Sequence, residues 1–289
     1  MPTPNTVPLK LPSKALRQLC LVLLCLLLVT VATPCSAKST DELEVDWVGD
    51  TVFTAAAGAM WGTFELLKSE IAPHKCIWCR TNDMDETITN ALAWAPPSHA
   101  AKVADVTAFA VIPAFTAGAL MLSSGLDHRI ENAATDLMLL AETLTLSSLL
   151  NQVVKFSVGR ARPFTVRDHH GFYENRPDDN LSFYSGHTNM AFALVVSAGT
   201  IAHIRDYDAE PYIWGIGIPL ALFVAYGRIA AEKHYFSDVL VGAIIGSTVG
   251  FLVPWLHRNT HNKDNPSSVN VNEIQLRCRQ QLFTISGQF

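Results

Sequence analysis

Three short stretches of the sequence concentrate side chains that can bind an anion or transfer a proton. They are residues 155–163, 184–187 and 227–238. Lysine and arginine neutralise phosphate oxygens, and the planar guanidinium group matches the geometry of those oxygens. Lys155, Arg162 and Arg228 therefore predict a cationic cage for an anion such as phosphate.

The second and third stretches add two histidines and a carboxylate. His234 and Asp238 are four residues apart, so on a helix they share a face, and the carboxylate can accept the Nδ1 proton and leave Nε2 as a nucleophile. His187 is predicted to protonate the leaving alkoxide and then to activate water. Ser185 and Gly186 precede a predicted helix, whose first N–H groups favour an anion.

Six largely uncharged apolar runs must position these three stretches. None of the runs alternates with period two, so they predict helices rather than strands. Consecutive helices with short connections run antiparallel, and the three stretches should therefore meet at one end of a helical bundle. The runs cover residues 51–64, 106–122, 137–154, 188–202, 211–227 and 239–256.

The composition favours a membrane protein over a soluble one. Apolar residues make up 49% of the chain and charged residues 16%, against about 25% charged residues in soluble domains. The longer runs have about 17 or 18 residues, near the lower limit for crossing a bilayer, and the uncharged 239–256 run favours insertion. A net charge of −5 without a basic cluster argues against a nucleic-acid partner.

The N-terminal 37 residues are typical of an export signal. Three basic residues precede an uncharged run over 18–37, and a cleaved signal and an uncleaved anchor both fit this pattern. Either one places the following segment outside the cytoplasm, where Cys76 and Cys79 are predicted to form a disulfide. The 51–64 run falls short of the roughly 17 residues needed to span, so it is expected to stay outside the bilayer.

The three stretches resemble the signature K-x6-R-P, P-S-G-H and S-R-x5-H-x3-D of the type 2 phosphatidic acid phosphatase and vanadium haloperoxidase superfamily. Tyr184 and Gly227 stand where the signature has proline and serine, and neither change removes a charged or catalytic group. The resemblance covers roughly residues 100–256. The matching residues are Lys155, Arg162, Pro163, Ser185, Gly186, His187, Arg228, His234 and Asp238.

The resemblance implies an all-α fold, a membrane-embedded six-helix bundle of the type 2 phosphatidic acid phosphatase kind. It implies an enzyme that hydrolyses phosphate monoesters through a phosphohistidine at His234, with vanadate as an inhibitor and without a metal or other cofactor. The expected partners are the membrane and a phosphorylated lipid, such as an isoprenyl diphosphate, or a small phosphate ester. The expected location is a bacterial-type inner membrane with a periplasmic site.

Three other functions fit the same residues. A soluble periplasmic acid phosphatase of broad specificity would use the same site. A vanadium-dependent haloperoxidase would hold vanadate in the same cage, and an inactive membrane scaffold would have kept the signature without activity. The size of the chain, with little beyond the helical core, favours a phosphatase over a haloperoxidase.

His169, His170, Asp178 and Asp179 lie in a long loop without partners for a metal-ligand set, so they are predicted to be solvated. Arg160 is expected to help attract anions.

The sequence predicts four regions with different roles. They are 1–37, a signal peptide or anchor; 38–103, an exported segment with a short helix; 104–256, the phosphatase core; and 257–289, a polar tail.

Overall fold

The structure is a computed structural model that describes residues 42–167 and 177–259. The predicted signal or anchor over 1–37, the His169-His170 pair and the tail from residue 260 lie outside the described residues. The helices are α1 (Trp47–Leu66), α2 (Lys68–Ile71), α3 (Asp83–Leu92), α4 (Pro97–Leu126), α5 (Ala133–Val158), α6 (Pro163–Arg167), α7 (Gly186–Arg205), α8 (Glu210–Ala230) and α9 (Phe236–Leu256).

Short elements complete the chain path. Helix α4 contains one π-helical turn over Thr107–Val111, and 3-10 turns cover Ile130–Asn132 and Pro177–Asn180. Strands β1 (Glu42–Leu43) and β2 (Arg258–Asn259) pair in antiparallel fashion and join the start of the described chain to its end.

Each predicted apolar run lies within one long helix, and the all-α prediction is confirmed. The short helices α2, α3 and α6 add to the six that the sequence predicted. The predicted boundary between residues 103 and 104 falls inside α4, which continues without a break from Pro97 to Leu126. Side-chain caps define several helix starts, because Asp46 accepts from Val48 N before α1 and Asn82 accepts from Asp85 N before α3.

Helix α7 lies at the centre of the bundle. Nearly every residue from Thr188 to Ile204 is buried, and the helix packs against α4, α5, α8 and α9. Its contact with α9 is close because Gly242, Gly246 and Gly250 face it. A Cβ at any of these glycines would lie closer than 3.0 Å to a backbone carbonyl oxygen of α7 or of its N-cap residue.

The outer surfaces of α4, α8 and α9 are apolar. Large exposed side chains include Phe109, Leu122, Leu222, Ile244 and Phe251. A soluble domain rarely exposes so much apolar surface, whereas lipid solvates it. By length and composition, four described helical segments can cross a membrane, and we conclude that the chain is a membrane protein. These segments are Pro97–Leu126, Ile130–Val158, Glu210–Ala230 and Phe236–Leu256.

Helix α1 lies alongside α5 rather than apart from the bundle. A Cβ at Gly58 would lie 3.3 Å from Thr145 Cγ2, and Gln152 Nε2 donates to Glu65 Oε2 at 3.1 Å. The two helices therefore run parallel to each other. Although α1 packs along a helix that can span a membrane, Trp47–Leu66 is not among the described helices that are long and apolar enough to cross one. That the 51–64 run stays outside the bilayer remains a prediction.

The predicted disulfide between Cys76 and Cys79 is present. The loop that it closes contacts the chain just after α5, where Ile77 N donates to Gly159 O at 2.8 Å and Ala161 N donates to Trp78 O at 3.2 Å. The disulfide therefore lies at the end of the bundle where α5 ends.

Candidate active site

The three stretches meet at one end of the bundle, as the sequence predicted. Asn151, near the end of α5, donates from Nδ2 to Tyr184 O at 2.9 Å. The backbone N–H of Ser185, at the start of α7, donates to Asp238 O in the first turn of α9 at 3.0 Å. These contacts bring the C-terminal end of α5 and the N-terminal ends of α7 and α9 together.

His234 is fully buried, and its ring is oriented by the backbone. Nδ1 lies 2.7 Å from the carbonyl oxygen of Ser182. A carbonyl oxygen only accepts hydrogen bonds, so Nδ1 carries the proton and Nε2 presents its lone pair. The predicted bond from Nδ1 to Asp238 is wrong, since Oδ2 of Asp238 is 4.0 Å away. His234 precedes α9, so the two residues do not share a helical face.

Asp238 instead supports the segment that carries His234. Its Oδ2 accepts a hydrogen bond from Ser182 Oγ at 2.5 Å and another from Tyr235 N at 2.9 Å. Ser182 provides the carbonyl that binds His234, and Tyr235 is the next residue along the chain. Asp238 therefore positions His234 through its neighbours.

Arg160 is buried and does not face an anion, so the expectation that it attracts anions is wrong. It is 1% exposed and pairs with Asp238 Oδ1 at 2.5 Å and with Asp85 Oδ2 at 2.8 Å. Its guanidinium group lies between the rings of Trp78 and Tyr235, 4.2 and 4.3 Å from their centroids. The positive charge of Arg160 is therefore neutralised by two buried carboxylates of the protein.

Asp85 is a site-supporting residue that the sequence reasoning missed. It accepts hydrogen bonds from Ser237 N at 2.9 Å and Ser237 Oγ at 2.7 Å, at the start of α9. Burial opposes ionisation of Asp85, but the hydrogen bonds from Ser237 and Arg160 outweigh burial and hold its pKa below the usual value. Asp85 therefore stays charged and links α3 to α9.

Cations surround His234. Arg162 Nη1 lies 3.5 Å from His234 Nε2, and Lys155 Nζ lies beside Gly186, 3.4 Å from the place of a Cβ there. Burial, followed by the charges of Arg162, Lys155 and Arg228, lowers the pKa of His234 well below its usual value. The lowered pKa keeps His234 neutral at neutral pH, and a neutral imidazole has a free lone pair.

His187 has a carboxylate partner that the sequence reasoning did not identify. Its Nε2 lies 2.9 Å from Asp105 Oδ1, and Arg228 Nη1 donates to the same oxygen at 2.6 Å. The ring of Phe109 meets the imidazole edge to face, with centroids 4.7 Å apart. Asp105 and Phe109 belong to α4, which contributes none of the three stretches.

Asp178 is not a solvated loop residue, contrary to the sequence prediction. Its carboxylate lies 3.1 Å from Arg162 Nη2 and 3.2 Å from Lys68 Nζ. Burial opposes ionisation, but Arg162 and Lys68 outweigh it and hold the pKa of Asp178 far below its usual value. A phosphate that approaches Arg162 must therefore compete with this carboxylate.

Ser185 caps α7. It is fully buried, and its Oγ accepts from Thr188 N at 3.5 Å and lies 3.0 Å from Thr188 Oγ1. Its hydroxyl is thus engaged within the protein rather than free for phosphate. The first-turn N–H groups of Gly186 and His187 have no partner within the helix and are the donors suited to an anion.

The two departures from the signature have structural explanations. Tyr184 is fully buried, and the bond from Asn151 to its carbonyl fixes the backbone that a proline would otherwise restrict. A Cβ at Gly227 would lie 2.8 Å from Ala104 Cβ, so a serine there would push α8 away from α4. Gly227 thereby allows Arg228 to reach Asp105.

Comparison with known proteins agrees with this geometry. A family model described as PAP2 superfamily matches residues 136–262. An undecaprenyl-diphosphatase of Sulfolobus acidocaldarius is 30% identical over 110 residues, which cover 38% of this chain and 50% of that protein. A lipid A 1-phosphatase of Porphyromonas gingivalis is 36% identical over 89 residues, covering 30% of this chain and 19% of that protein.

A phospholipid phosphatase 1 of Rattus norvegicus is 28% identical over 131 residues, which cover 37% of this chain and 46% of that protein. The chain thus spans half or less of the length of these three relatives. The matched region of the family model begins in α5 and includes α7, α8 and α9, where most of the cationic and imidazole groups described above lie.

Proposed function

Because residues 136–262 match a family model described as PAP2 superfamily, we propose that the chain is a phosphatase whose nucleophile is His234. The observation that carries the proposal is the state of this side chain. Its Nδ1 is held by the Ser182 carbonyl at 2.7 Å, which directs the Nε2 lone pair toward Arg162, 3.5 Å away. A neutral imidazole beside buried cations suits attack on a phosphate ester.

The proposed reaction has two steps. In the first, His234 Nε2 attacks phosphorus, a P–N bond forms, the P–O bond to the alcohol breaks, and His187 gives a proton to the leaving oxygen. Burial lowers the pKa of His187 to about 4 in the protein alone, so this step requires the negative charges of the bound phosphate and of Asp105 to keep His187 protonated. In the second, neutral His187 takes a proton from water, the water oxygen attacks phosphorus, and the P–N bond breaks. Lys155, Arg162 and Arg228 stabilise the charge on the phosphoryl oxygens in both steps.

We propose a lipid phosphate or an isoprenyl diphosphate as the substrate class. The site lies at one end of helices whose outer surfaces are apolar, so the phosphate of a lipid can reach it while the lipid tail stays among other tails. The three relatives are named as phosphatases of lipid-linked phosphates. The apolar exterior does not favour the soluble alternative, and no observation favours the haloperoxidase or the scaffold.

The proposed mechanism is tested by trapping the phosphoenzyme. Purified protein is mixed with a phosphorus-labelled substrate and quenched in alkali, in which phosphohistidine survives. Wild type should retain label, whereas His234→Ala should retain none and lose activity by roughly 10³-fold or more. His203→Ala, which changes an exposed histidine near the other end of α7, is the control. Label and activity that persist in His234→Ala would refute the mechanism.

Substrate class is tested with a panel. Initial rates on an isoprenyl diphosphate, lipid A, phosphatidate and a soluble ester should favour one of the lipids. Vanadate should inhibit, and a chelator should leave the initial rate unchanged at low temperature, because the charge neutralisation comes from Lys155, Arg162 and Arg228. Loss of activity in chelator that Mg²⁺ or Zn²⁺ restores within the assay would contradict metal-independent hydrolysis.

We propose that the site faces the periplasm of a bacterial-type inner membrane. The Cys76–Cys79 disulfide lies at the same end of the bundle, and disulfides persist in oxidising compartments. A reporter active only outside the inner membrane should be active when fused after Phe172 and inactive after Leu126. The reverse pattern would place the site in the cytoplasm.

A further inference from the structure

Three ionisable side chains converge away from the catalytic residues. Asp50 lies in the first turn of α1, Glu142 lies in the N-terminal half of α5, and His257 follows the C-terminal end of α9. One ligand atom from each residue lies within 4.8 Å of the other two. Since α5 ends and α9 begins at the catalytic site, this cluster lies toward the opposite end of the bundle.

His257 is oriented as a metal ligand would be. Its Nδ1 lies 2.8 Å from the carbonyl oxygen of Val253, so the ring donates through Nδ1. Its Nε2 faces Asp50 Oδ2 at 3.5 Å and Glu142 Oε2 at 3.6 Å. Metal-bound histidines usually donate their other ring N–H to a carbonyl or carboxylate, which fixes the ring and the tautomer.

The distances in this cluster suit ligands around an ion better than a direct ion pair. A charged N–H···O bond between imidazolium and carboxylate is about 2.7–2.9 Å long. The separations from His257 Nε2 are longer, and they are nearly equal for the two carboxylates. Ligands at about 2.1 Å from a tetrahedral Zn²⁺ are roughly 3.4 Å from one another. The observed spacing is close to that value.

Glu142 supplies an independent indication of a ligand. The residue is 7% exposed, and its Oε2 is buried without a hydrogen-bond partner among the described residues. A buried carboxylate oxygen without a partner is costly. Asp50 and Glu142 together carry two negative charges, which one divalent cation neutralises if the imidazole is neutral.

We propose that Asp50, Glu142 and His257 bind one divalent transition-metal ion, with Zn²⁺ as the reference ion. One imidazole and two carboxylates form a ligand set that Zn²⁺ accepts, with water in the fourth position. The imidazole disfavours Mg²⁺ and Ca²⁺, which prefer oxygen ligands. The ion links α1, α5 and the end of α9, so its role is structural, and the catalytic residues hydrolyse phosphate without it.

The proposal is tested by loading the purified full chain with Zn²⁺, removing free ions and measuring bound zinc by mass spectrometry. Wild type and the control His203→Gln should hold about one more ion per chain than His257→Gln and Glu142→Gln. Zinc should raise the Tm of wild type by roughly 5 °C or more at a hundredfold excess over Kd. Neither substituted variant should show this rise.

Two results would overturn the proposal. One is a wild type whose Tm does not respond to Zn²⁺, Mn²⁺ or Co²⁺. The other is a His257→Gln variant that binds and responds to zinc as wild type does. Because the wild-type measurement needs no substitution, failure of a variant to fold does not remove the test. The phosphoenzyme assay is independent of both results, so the two proposals can fail separately.

Discussion

Nε2 of His187 lies 2.9 Å from Oδ1 of Asp105. A carboxylate at this position orients the imidazole and stabilises the imidazolium that protonates a leaving group. Asp105→Asn should therefore lower kcat on a lipid phosphate by roughly 10–100-fold. The loss should be smaller on p-nitrophenyl phosphate, whose leaving group needs little protonation. Steady-state rates on both substrates test the prediction.

Asp105 also holds Arg228, so a second outcome is informative. If the carboxylate mainly competes with phosphate, then Asp105→Asn would lower KM and leave kcat unchanged on both esters. That pattern would contradict a positioning role for Asp105. Asp105→Glu, which keeps the charge, should recover part of the lost kcat if Asp105 positions His187.

The buried neutral His234 predicts a loss of stability in acid. The unfolded chain binds a proton below the ordinary histidine pKa of about 6.5, whereas folded His234, with its lowered pKa, does not. Stability should therefore fall as pH decreases through that value. His234→Asn removes this contribution. The difference in Tm, variant minus wild type, should therefore increase as the pH is lowered from 7.5 to 5. Parallel curves would contradict the prediction.

Asp238→Asn tests whether Asp238 stabilises the fold or sets the tautomer of His234. The variant leaves buried Arg160 with one charged partner fewer, and breaking a buried ion pair costs about 3–5 kcal/mol. Tm should fall by roughly 6 °C or more. Because Ser182 O, not Asp238, binds His234 Nδ1, activity well below Tm should stay within about tenfold of wild type.

Asp85→Asn is the matched control, since it removes the other charged partner of Arg160. It should lower Tm by a similar amount. A loss of about 10⁴-fold in kcat for Asp238→Asn alone, as occurs where a carboxylate sets the histidine tautomer, would show that Asp238 acts on His234 directly.

Gly227→Ser restores the serine of the signature but should impair this protein. The added side chain would meet Ala104, whose neighbour Asp105 pairs with Arg228. We expect a lower Tm and a higher KM for phosphate esters. Ala104→Gly in the same chain should relieve the contact and restore KM. A single Gly227→Ser variant with unchanged Tm and KM would show that α8 and α4 adjust freely.

The helices and their meeting point could be predicted from the sequence. Uncharged runs with helical spacing mark the long helices, and antiparallel connection places residues from 155–163, 184–187 and 227–238 at one end. The partner of His234 could not be predicted, because the spacing from Asp238 gives a shared face only if the helix has already begun. In the structure α9 begins at Phe236, after the histidine.

The supporting carboxylates also could not be predicted. Asp105 and Asp85 belong to α4 and α3, and neither lies near the cationic stretches in sequence. Their roles depend on how those helices pack, through contacts such as that between Gly227 and Ala104. The cluster of Asp50, Glu142 and His257 could not be predicted either, because the three residues come from distant parts of the chain.

The glycine-lined contact between α7 and α9 also bears on how substrates of different size are accommodated. At Gly242, Gly246 and Gly250 the backbone of α9 lies directly against the backbone of α7. Since no glycine side chain can change rotamer to make room, a sliding movement of the two helices would have a high free-energy cost. The distance to His234 from the N-terminal end of α7, where we propose that phosphate binds, is thus fixed in the protein without substrate. We expect adaptation to bulkier lipids to come from α4, whose π-helical turn at Thr107–Val111 places Phe109 against His187.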